Sequence, residues 1–559
     1  MKRLVFLSVA LVALIMVMVA LGGAEAPPSQ PQPQQETQDP DWERLAPGIE
    51  YRRYRLPEPN NVYVARMEIS RTNVTLESAV GSGYLASGVE TVRSMASRYD
   101  DALSQWGVSD GWGSARSNVV VAVNGDYFNG SGLPHGGMVQ AGWYIKRFND
   151  YGGRTGFGWK FSRTPFVGEC VVHQPEKQFV QFADGSTQRL DGINVDRDSN
   201  QLIFYTPQYD QRTHTADDGV EILVTLKQPA IIYPAPRAFT GTITEIRSGQ
   251  GSTPMLFDQA VLSANGDAAD ELLAHVIAGQ AISISQEIAS RQEFDCDAPL
   301  AGIDWSKTYA SVGGDYYFLK ESQPKTYDCS QTPGFCNRLP RTAIAYNERY
   351  VYFIVVDGRD WIDSLGMTVP ELTVFARETL SATYGVTQDG GGSSTMVING
   401  EVVNNTFCNN YTCRAKIYLP IAVNGVSAPS MATARALPSP TPRAGPPQAD
   451  SLPATFDAPG NSSYQRGVAN GMMMVVVEPE QRSEISWAEG QAVVMASAAN
   501  LRLGPGTNYA SQGVMPAGAV GAIQPHNLNG IFAKGYFWWR VRLESGLEGW
   551  IVEDALSIP

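Results

Sequence analysis

Three polar clusters directly follow short apolar, β-branched runs, and strand ends of this kind are where sites on sheet proteins collect. The clusters are NGDYF at 124–128, DGR at 357–359 and DGGGSS at 389–394. A carboxylate followed by glycines lets the backbone approach a ligand closely and turn N–H groups inward as an anion-binding nest. One such loop alone is more often a turn. Three together indicate a site combining carboxylate chemistry with anion binding.

The elements that must position these clusters are strands and a few helices. Buried strands are predicted at 119–123, 202–205, 351–356 and 395–398, which are short β-branched or aromatic runs bounded by turn residues. A helix is predicted over 370–384, with Thr368 as its cap and Gly385 at its end, and a second over 91–103. The mixture predicts an α+β domain built on a large mixed sheet.

Composition limits the classes of function. The 559 residues allow three or four domains, and a formal charge of -14 argues against nucleic acid as a partner. Hydrophobic residues at 43% against 18% charged residues exclude global disorder. With 54 Gly and 35 Pro, the chain favours many short strands over helical bundles or coiled coils.

The amino terminus predicts export. Lys2 and Arg3 precede an apolar run at 4–21, and Ala24-Glu25-Ala26 has the form of a processing site. Residues 1–26 are therefore a signal peptide or, if uncleaved, a membrane anchor. Both alternatives place the rest of the chain in a secreted or extracytoplasmic location. A membrane is a partner only in the uncleaved case.

Composition also predicts domain boundaries. Residues 27–41 are a Pro- and Gln-rich linker, and 427–489 begin with a second, Pro-rich stretch. These linkers separate a large domain at 42–426 from a small all-β domain at 490–559. We expect the two domains to be independent.

Six cysteines agree with export to an oxidising compartment. The close pairs Cys329/Cys336 and Cys408/Cys413 predict two local disulfides, which leaves Cys170 and Cys296 to each other. A zinc site is disfavoured because the chain has no CxxC pair and only 5 His.

Six ordered blocks within about residues 110–425 resemble the phosphodiester glycosidase family. The matching blocks are NGDYFNGSGLPHGGMVQAGW at 124–143, NVDR at 194–197 with LIFYTP at 202–207, PRTA at 340–343, VVDGR at 355–359, GMT at 366–368 with EL at 371–372, and DGGGSS at 389–394. The resemblance implies a hydrolase that cleaves the glycosidic bond of a sugar-1-phosphodiester.

That substrate class implies roles for particular residues. A phosphate monoester has a second pKa of about 6 and leaves with little protonation, so one carboxylate acting as nucleophile or base is the main requirement. The candidate carboxylates are Asp126, Asp357 and Asp389. Arginine suits the phosphate through bidentate pairing. The candidate phosphate ligands are Arg197, Arg341 and Arg359, although an ion pair with Asp357 explains Arg359 equally well.

The remaining candidate substrate contacts lie in the same blocks. They are Asn124, Gly125, His135, Asn194, Thr368, Gly390, Gly391, Gly392 and Ser393. A helix cap and a turn hydroxyl explain Thr368 and Ser393 equally well. No cofactor is predicted, and a divalent cation shared by Asp357 and Asp389 is left open.

The terminal segment resembles bacterial SH3 domains. ANLRLGPGTNY at 499–509, WWRV at 538–541 and GWI at 549–551 carry the resemblance, which implies a small barrel that binds a cell-wall component. The sequence as a whole predicts an exported glycosidase acting on a sugar-1-phosphodiester in a cell-surface or extracellular glycopolymer. The alternative is a non-catalytic protein that binds an anionic glycan or the cell wall.

Overall fold

The computed structural model describes residues 41–108, 111–113, 115–147, 156–168, 171–232, 239–290, 305–315, 317–413 and 464–559. The predicted α+β fold on a mixed sheet is wrong, because strand far exceeds helix (46% against 12%) and the sheets are antiparallel. Among the strands of the described residues, only Gly192–Ile193 pairs in parallel, with Leu202–Tyr205, and Asp360 and Cys413 form an isolated parallel bridge. Short runs between Gly and Pro turns favour hairpins, whereas parallel pairing needs long crossovers.

Two sheets carry the polar clusters. Sheet A contains, in spatial order, Glu43–Ala46, Ile49–Leu56, Asn60–Glu68, Tyr350–Val356, Arg341–Tyr346, Tyr384–Thr387, Tyr317–Lys320 and Gln323–Pro324. Sheet B contains Glu401–Val402, Met396–Ile398, Ala115–Asn124, Asn470–Glu478 and Val74–Val80, with Ala102–Ser104 pairing with Ala115–Asn124. Side chains from both sheets, such as Phe353 and Val121, share one buried core.

Two further sheets complete the large body. Sheet C contains Pro165–Gly168, Gly156–Lys160, Thr308–Gly313, Met138–Gln140 and Trp143–Lys146. Sheet D contains Thr187–Arg189, Val171–Gln181, Ala281–Ser290, Phe239–Ser248, Gly219–Leu226, Gln259–Asn265, Leu202–Tyr205 and Gly192–Ile193. Residues of sheet C, including Trp159 and Tyr309, join the core between sheets A and B.

The terminal segment forms sheet E. The structure does not show the single SH3 barrel that was predicted for this segment. Its strands are Ser511–Met515, Ala499–Arg502, Glu548–Val552, Tyr536–Leu543, Val520–Ile523, Ala492–Met495 and Leu556–Ser557, with Ile531–Ala533 pairing with Tyr536–Leu543. Sheet E shares a core with sheet D, and Arg540 donates to the buried Asp258 at 2.6 Å. Binding of a cell-wall component by this segment stays a prediction.

The predicted linker at 427–489 is wrong in its last part. Asn470–Glu478 is a strand of sheet B, between Ala115–Asn124 and Val74–Val80. Its residues Met472 to Val475 are buried, so removing the strand would expose an apolar face of the sheet. A fragment ending at residue 426 lacks this strand.

The helices of the described residues are short. They are Val92–Tyr99, Gly266–His275, Pro333–Cys336, Val369–Val374 continuing as the wider turn Phe375–Thr379, and Thr406–Asn410, with single turns at Gly81–Gly83, Leu85–Ser87, Gly391–Ser393 and Glu553–Ala555. In the described part of the chain, none of them has the length and apolar character that crossing a membrane requires.

Sequence patterns predict several of these helices and strands correctly. The four predicted strands are present, and Thr368 caps its helix as expected. The predicted end of that helix at Gly385 is wrong, because Tyr384–Thr387 is a strand of sheet A. The second helix is shorter than expected, since Val92–Tyr99 ends before a strand at Ala102–Ser104.

Both predicted local disulfides are confirmed. Their Cα atoms are 5.6 Å apart in Cys329–Cys336 and 5.4 Å apart in Cys408–Cys413. Cys170 and Cys296 lie outside the described residues. Disulfides of this kind are typical of proteins outside the cytoplasm.

Candidate active site

Strand order brings the polar clusters to one edge. In sheet A, Arg341–Tyr346 runs antiparallel between Tyr350–Val356 and Tyr384–Thr387. The start of the middle strand therefore lies beside the ends of its neighbours, which places Arg341, Asp357 and Asp389 at the same edge. In sheet B, Asn124 pairs with Gly471 at the corresponding end.

Hydrogen bonds join the two sheets at this edge. The Asn124 amide donates to the Asp389 carbonyl at 2.7 Å, and the Asp389 N–H donates to the Gly125 carbonyl at 2.9 Å. The Asn124 oxygen accepts from the Thr342 hydroxyl at 2.8 Å. Asn124, which is fully buried, therefore positions the loop that carries Asp389.

An open cleft of about 420 Å³ lies at this edge. Its lining residues are Tyr127, Asp315, Thr332, Gly334, Phe335, Leu339, Arg341, Asp389, Gly390 and Gly391. Two carboxylates, a phenol and a guanidinium therefore face one space. This combination of charged groups with a few apolar walls is typical of a small-molecule site.

Asp389 is the carboxylate best suited to chemistry. Burial raises the pKa of its carboxyl group to about 6, and the negative charge of Asp315 acts in the same direction. The Ser393 hydroxyl, the positive charge of Arg466 and the Gly390 N–H oppose this rise in pKa. The carboxyl group is therefore ionised at neutral pH yet close to its pKa, as a nucleophile or general base requires.

The three glycines after Asp389 are needed for close packing. A Cβ on Gly390 would lie 2.9 Å from the Pro340 carbonyl oxygen, and one on Gly392 would lie 2.6 Å from Asn410 Oδ1. Gly391 has φ +63° and lies against the Arg359 guanidinium. The Gly391 N–H donates to the Pro340 carbonyl at 2.9 Å, so this group stabilises the turn.

Arg341 lines the cleft, and its contact with a phosphate stays a prediction. Its Nε donates to the Met367 carbonyl at 2.8 Å, and its Nη2 donates to the Gly334 and Asn337 carbonyls at 2.7 and 2.6 Å. Burial lowers the pKa of the guanidinium, and the nearby Tyr127 opposes this decrease. These bonds hold the arginine against the loop that Cys329–Cys336 closes.

Arg359 lies on the other side of the glycine turn, beside Arg466. Burial lowers the pKa of Arg359, and the positive charge of Arg466 lowers it further. Arg359 donates to the Asn409 carbonyl, while Arg466 lies 5.4 Å from the ring centre of Phe128. Within the described residues, neither arginine forms an ion pair with a carboxylate. Two neighbouring cations that have no salt bridge in the described residues favour the binding of an anion beside them.

Asp357 has a different environment from Asp389. It is buried, and its carboxylate accepts from the Asn404 amide at 3.0 Å, the Asn405 N–H at 3.0 Å and the Asn409 amide at 3.2 Å. It does not line the cleft. Asp357 instead organises the segment around Thr406–Asn410, and no ion pair joins it to Arg359 in the described structure.

Asp126 lies inside the loop after Asn124. It is fully buried, and its carboxylate accepts from the Gly136 N–H. The Asp126 N–H donates to the Asn470 side chain at 2.8 Å, and a Cβ on Gly125 would lie 2.4 Å from the same oxygen. These contacts position Tyr127 at the cleft without placing Asp126 in its lining.

Arg197 does not line the cleft, and its contact with a phosphate stays a prediction. Its side chain is 2% exposed and pairs with Asp218. It also donates to the Ser263 hydroxyl at 2.8 Å in sheet D. Asn194, with φ +51°, donates to the Thr206 hydroxyl at 2.9 Å and accepts from the Thr206 N–H at 2.8 Å. Arg197 therefore ties its segment to sheet D, and Asn194 ties the same segment to the end of Leu202–Tyr205.

Two further candidates have structural contacts. Thr368 accepts from the Glu371 N–H at 3.1 Å, and its own N–H donates to the Glu371 carboxylate at 2.9 Å, which is a capping box. The His135 N–H donates to the Tyr127 carbonyl at 2.8 Å. Neither residue lines the cleft, and both support residues near it.

A metal centre is not indicated by the described residues. The one group of ligand-type side chains that they bring within 4.8 Å is Asp360, Cys408 and Cys413. The two cysteines form a disulfide, so they offer no thiolate to a cation.

Sequence reasoning missed four residues near the cleft. Tyr127 lies within the NGDYF motif at 124–128, but Asp315 follows the strand Thr308–Gly313, which no sequence pattern predicts. Arg466 and Asn470 lie in the segment assigned as a linker. The apolar run MMMVVV at 472–477 was the signal for a strand there.

Comparison with known proteins agrees with part of the resemblance. A family model described as phosphodiester glycosidase matches residues 237–418, which include Arg341, Arg359 and Asp389 and stop before Arg466. No curated protein matches the chain significantly.

Three solved structures are similar at low identity. A "hypothetical protein from Synechocystis" has a TM-score of 0.43 at 13% identity, with 77% of this chain and 62% of that chain covered. A "Putative exported protein" from Burkholderia pseudomallei has a TM-score of 0.42 at 18% identity, with 74% of each chain covered. The catalytic domain of zebrafish N-acetylglucosamine-1-phosphodiester alpha-N-acetylglucosaminidase, auto-inhibited by its pro-peptide, has a TM-score of 0.29 at 13% identity, covering 64% of this chain and 74% of that chain.

Proposed function

We propose that the protein is an exported hydrolase that cleaves the glycosidic bond of a sugar-1-phosphodiester in a cell-surface or extracellular glycopolymer. The observation that carries the proposal is the position of Asp389, a buried carboxylate in an open cleft beside three arginines. Arg341 lines the cleft, and Arg359 lies against Gly391. The family match at 237–418 supports the same class of reaction.

Different residues of the site would bind the sugar and the phosphate. Arg359 and Arg466 form the cationic pair at the glycine turn and would bind the phosphate. The sugar would then occupy the cleft between Tyr127, Asp315 and Asp389. This division places the anomeric carbon beside Asp389 and the departing phosphate beside the arginines.

The reaction requires one charged carboxylate. Asp389 attacks the anomeric carbon or takes a proton from the attacking water, and the bond between that carbon and the phosphate oxygen breaks. Water supplies a hydroxyl to the sugar and a proton to the phosphate, which leaves as a monoester. Asp315 is the second carboxylate of the cleft and would assist the attacking water.

The test is hydrolysis of UDP-GlcNAc by the full chain in ¹⁸O-labelled water. Free N-acetylglucosamine carrying the label supports cleavage of the carbon–oxygen bond. Label in the phosphate would show attack at phosphorus, and the protein would then be a phosphodiesterase. A panel of other sugar-1-phosphodiesters covers the case in which the sugar differs.

Two variants separate an enzyme from a glycan-binding protein. Asp389→Asn should abolish hydrolysis, whereas the exposed Asp363→Asn serves as a matched control of unchanged activity. A binding protein would retain ligand affinity in Asp389→Asn and show no turnover in the wild type. That result would reject the proposed hydrolysis and leave the anion site in place.

A further inference from the structure

An exposed group of aromatic side chains lies beside the anion site. Phe407, Tyr411 and Tyr464, here called the aromatic platform, are 44%, 50% and 46% exposed. Their ring centres are 5.3 Å apart for Phe407–Tyr411, 5.3 Å for Phe407–Tyr464 and 6.2 Å for Tyr411–Tyr464. Large rings exposed together in this way are typical of a binding surface.

The aromatic platform is held in place by the residues around it. Cys408–Cys413 closes the loop that carries Tyr411, directly after Phe407, and Asn405 caps the short helix by accepting from the Cys408 N–H at 3.1 Å. Asp357 accepts from Asn404, Asn405 and Asn409 just before and within that helix. The rings are therefore positioned by a buried network, although they face solvent.

The same loops contact the glycine turn. Asn410 lies against Gly392 and donates to the Tyr464 carbonyl at 3.1 Å. The Asn409 carbonyl accepts from Arg359, and Arg466 is two residues from Tyr464. The aromatic platform is thus continuous with the cationic pair of Arg359 and Arg466.

We infer that the aromatic platform binds a saccharide on the leaving-group side of the phosphodiester. This inference rests on the proposed function and assigns to Phe407, Tyr411 and Tyr464 a saccharide subsite outside the cleft. Sugar rings present flat C–H faces that pack on aromatic rings, and the hydroxyls of Tyr411 and Tyr464 can bond sugar hydroxyls. The adjacent cations match the phosphate that such a saccharide carries.

Activity provides the first test. Two substrates are compared: N-acetylglucosamine-1-phosphate esterified to maltotriose, and UDP-GlcNAc. We expect kcat/KM for the first, divided by kcat/KM for the second, to fall about tenfold in Tyr411→Ala and in Phe407→Ala, mainly through KM. Phe407→Tyr, which keeps the ring, should retain the wild-type ratio. The matched control is Tyr536→Ala, because Tyr536 is 44% exposed on sheet E. An unchanged ratio in both alanine variants would overturn the inference.

Binding provides a test that does not depend on hydrolysis. Chitohexaose and maltohexaose, which are neutral, would be titrated calorimetrically into the full-length Asp389→Asn protein. If either oligosaccharide binds, and if adding Tyr411→Ala weakens its affinity about tenfold, the result supports saccharide binding by the aromatic platform. This holds even if no sugar-1-phosphodiester is hydrolysed. Binding of neither overturns it. Sedimentation with anionic phospholipid vesicles that requires Tyr411 would assign the rings to a membrane instead and also overturn it.

Discussion

Asp389 and Asp357 are both buried at the same edge of sheet A, yet their surroundings differ. Burial raises the pKa of each carboxyl group. Asp357 is surrounded by amide donors from Asn404, Asn405 and Asn409 and has no place in the cleft lining. Asp389 has fewer donors and faces the cleft.

The difference shows that two carboxylates at one sheet edge can have different roles, one in stabilising the fold and one in chemistry. A carboxylate whose oxygens accept several hydrogen bonds stabilises the fold, because each donor would be unsatisfied without it. A carboxylate that is desolvated but only partly hydrogen-bonded keeps a basic oxygen for a substrate. Substitutions of the two carboxylates and a pH profile test this separation of roles.

The largest effect is expected for Asp389→Asn. Its kcat should fall at least about a thousandfold with little change in KM, because the lost interaction belongs to the transition state. Its free energy of unfolding at pH 7 should be equal to or above that of the wild type, since a buried charge is removed. Steady-state kinetics and urea unfolding measure both quantities. Near-normal turnover would remove Asp389 from the mechanism.

The second largest effect is expected for Asp357→Ala, which should lower the stability of the protein. Loss of the carboxylate leaves donors of Asn404, Asn405 and Asn409 without this acceptor, so the free energy of unfolding should fall by about 3 kcal/mol. Urea unfolding would measure it against Asp363→Ala, an exposed control in the neighbouring loop. A loss within about 0.5 kcal/mol would mean that Asp357 is not a structural carboxylate.

A pH profile of the wild-type protein tests the charge state in which Asp389 acts. Asp389 acts in its charged form and has a pKa of about 6. We therefore expect kcat/KM to be constant at higher pH and to fall about tenfold per pH unit below that value. The Asp363→Asn control should give the same profile. A rate that rises as the pH is lowered would mean that the essential group acts as an acid.

The smallest effect is expected for Arg466→Gln. The positive charge of Arg466 lowers the pKa of Asp389, so its removal should move the acidic limb of the profile upward by less than about one unit. It should also raise KM, because one phosphate ligand is lost. Arg482→Gln, an exposed arginine near sheet E, is the control. An unmoved limb together with an unchanged KM would place Arg466 outside the site.

Local patterns were enough to predict much of the framework. The strands at 119–123 and 351–356, the Thr368 cap and the disulfides Cys329–Cys336 and Cys408–Cys413 all depend on residues close in sequence. Their energies come from backbone conformation, capping and short loop closure, which nearby residues determine. The position of Asp389 before three glycines was also visible in the sequence.

Only the tertiary structure decided which charged groups face the cleft. Arg197 and Arg359 belong to similar motifs, but Asp218 neutralises the first and Arg466 lies beside the second. Asn470 reaches the Asp126 loop across 344 residues because its strand is inserted in sheet B. Burial, charge pairing and strand order arise from contacts between distant segments, so a motif can indicate a site while the fold selects the residues that act in it.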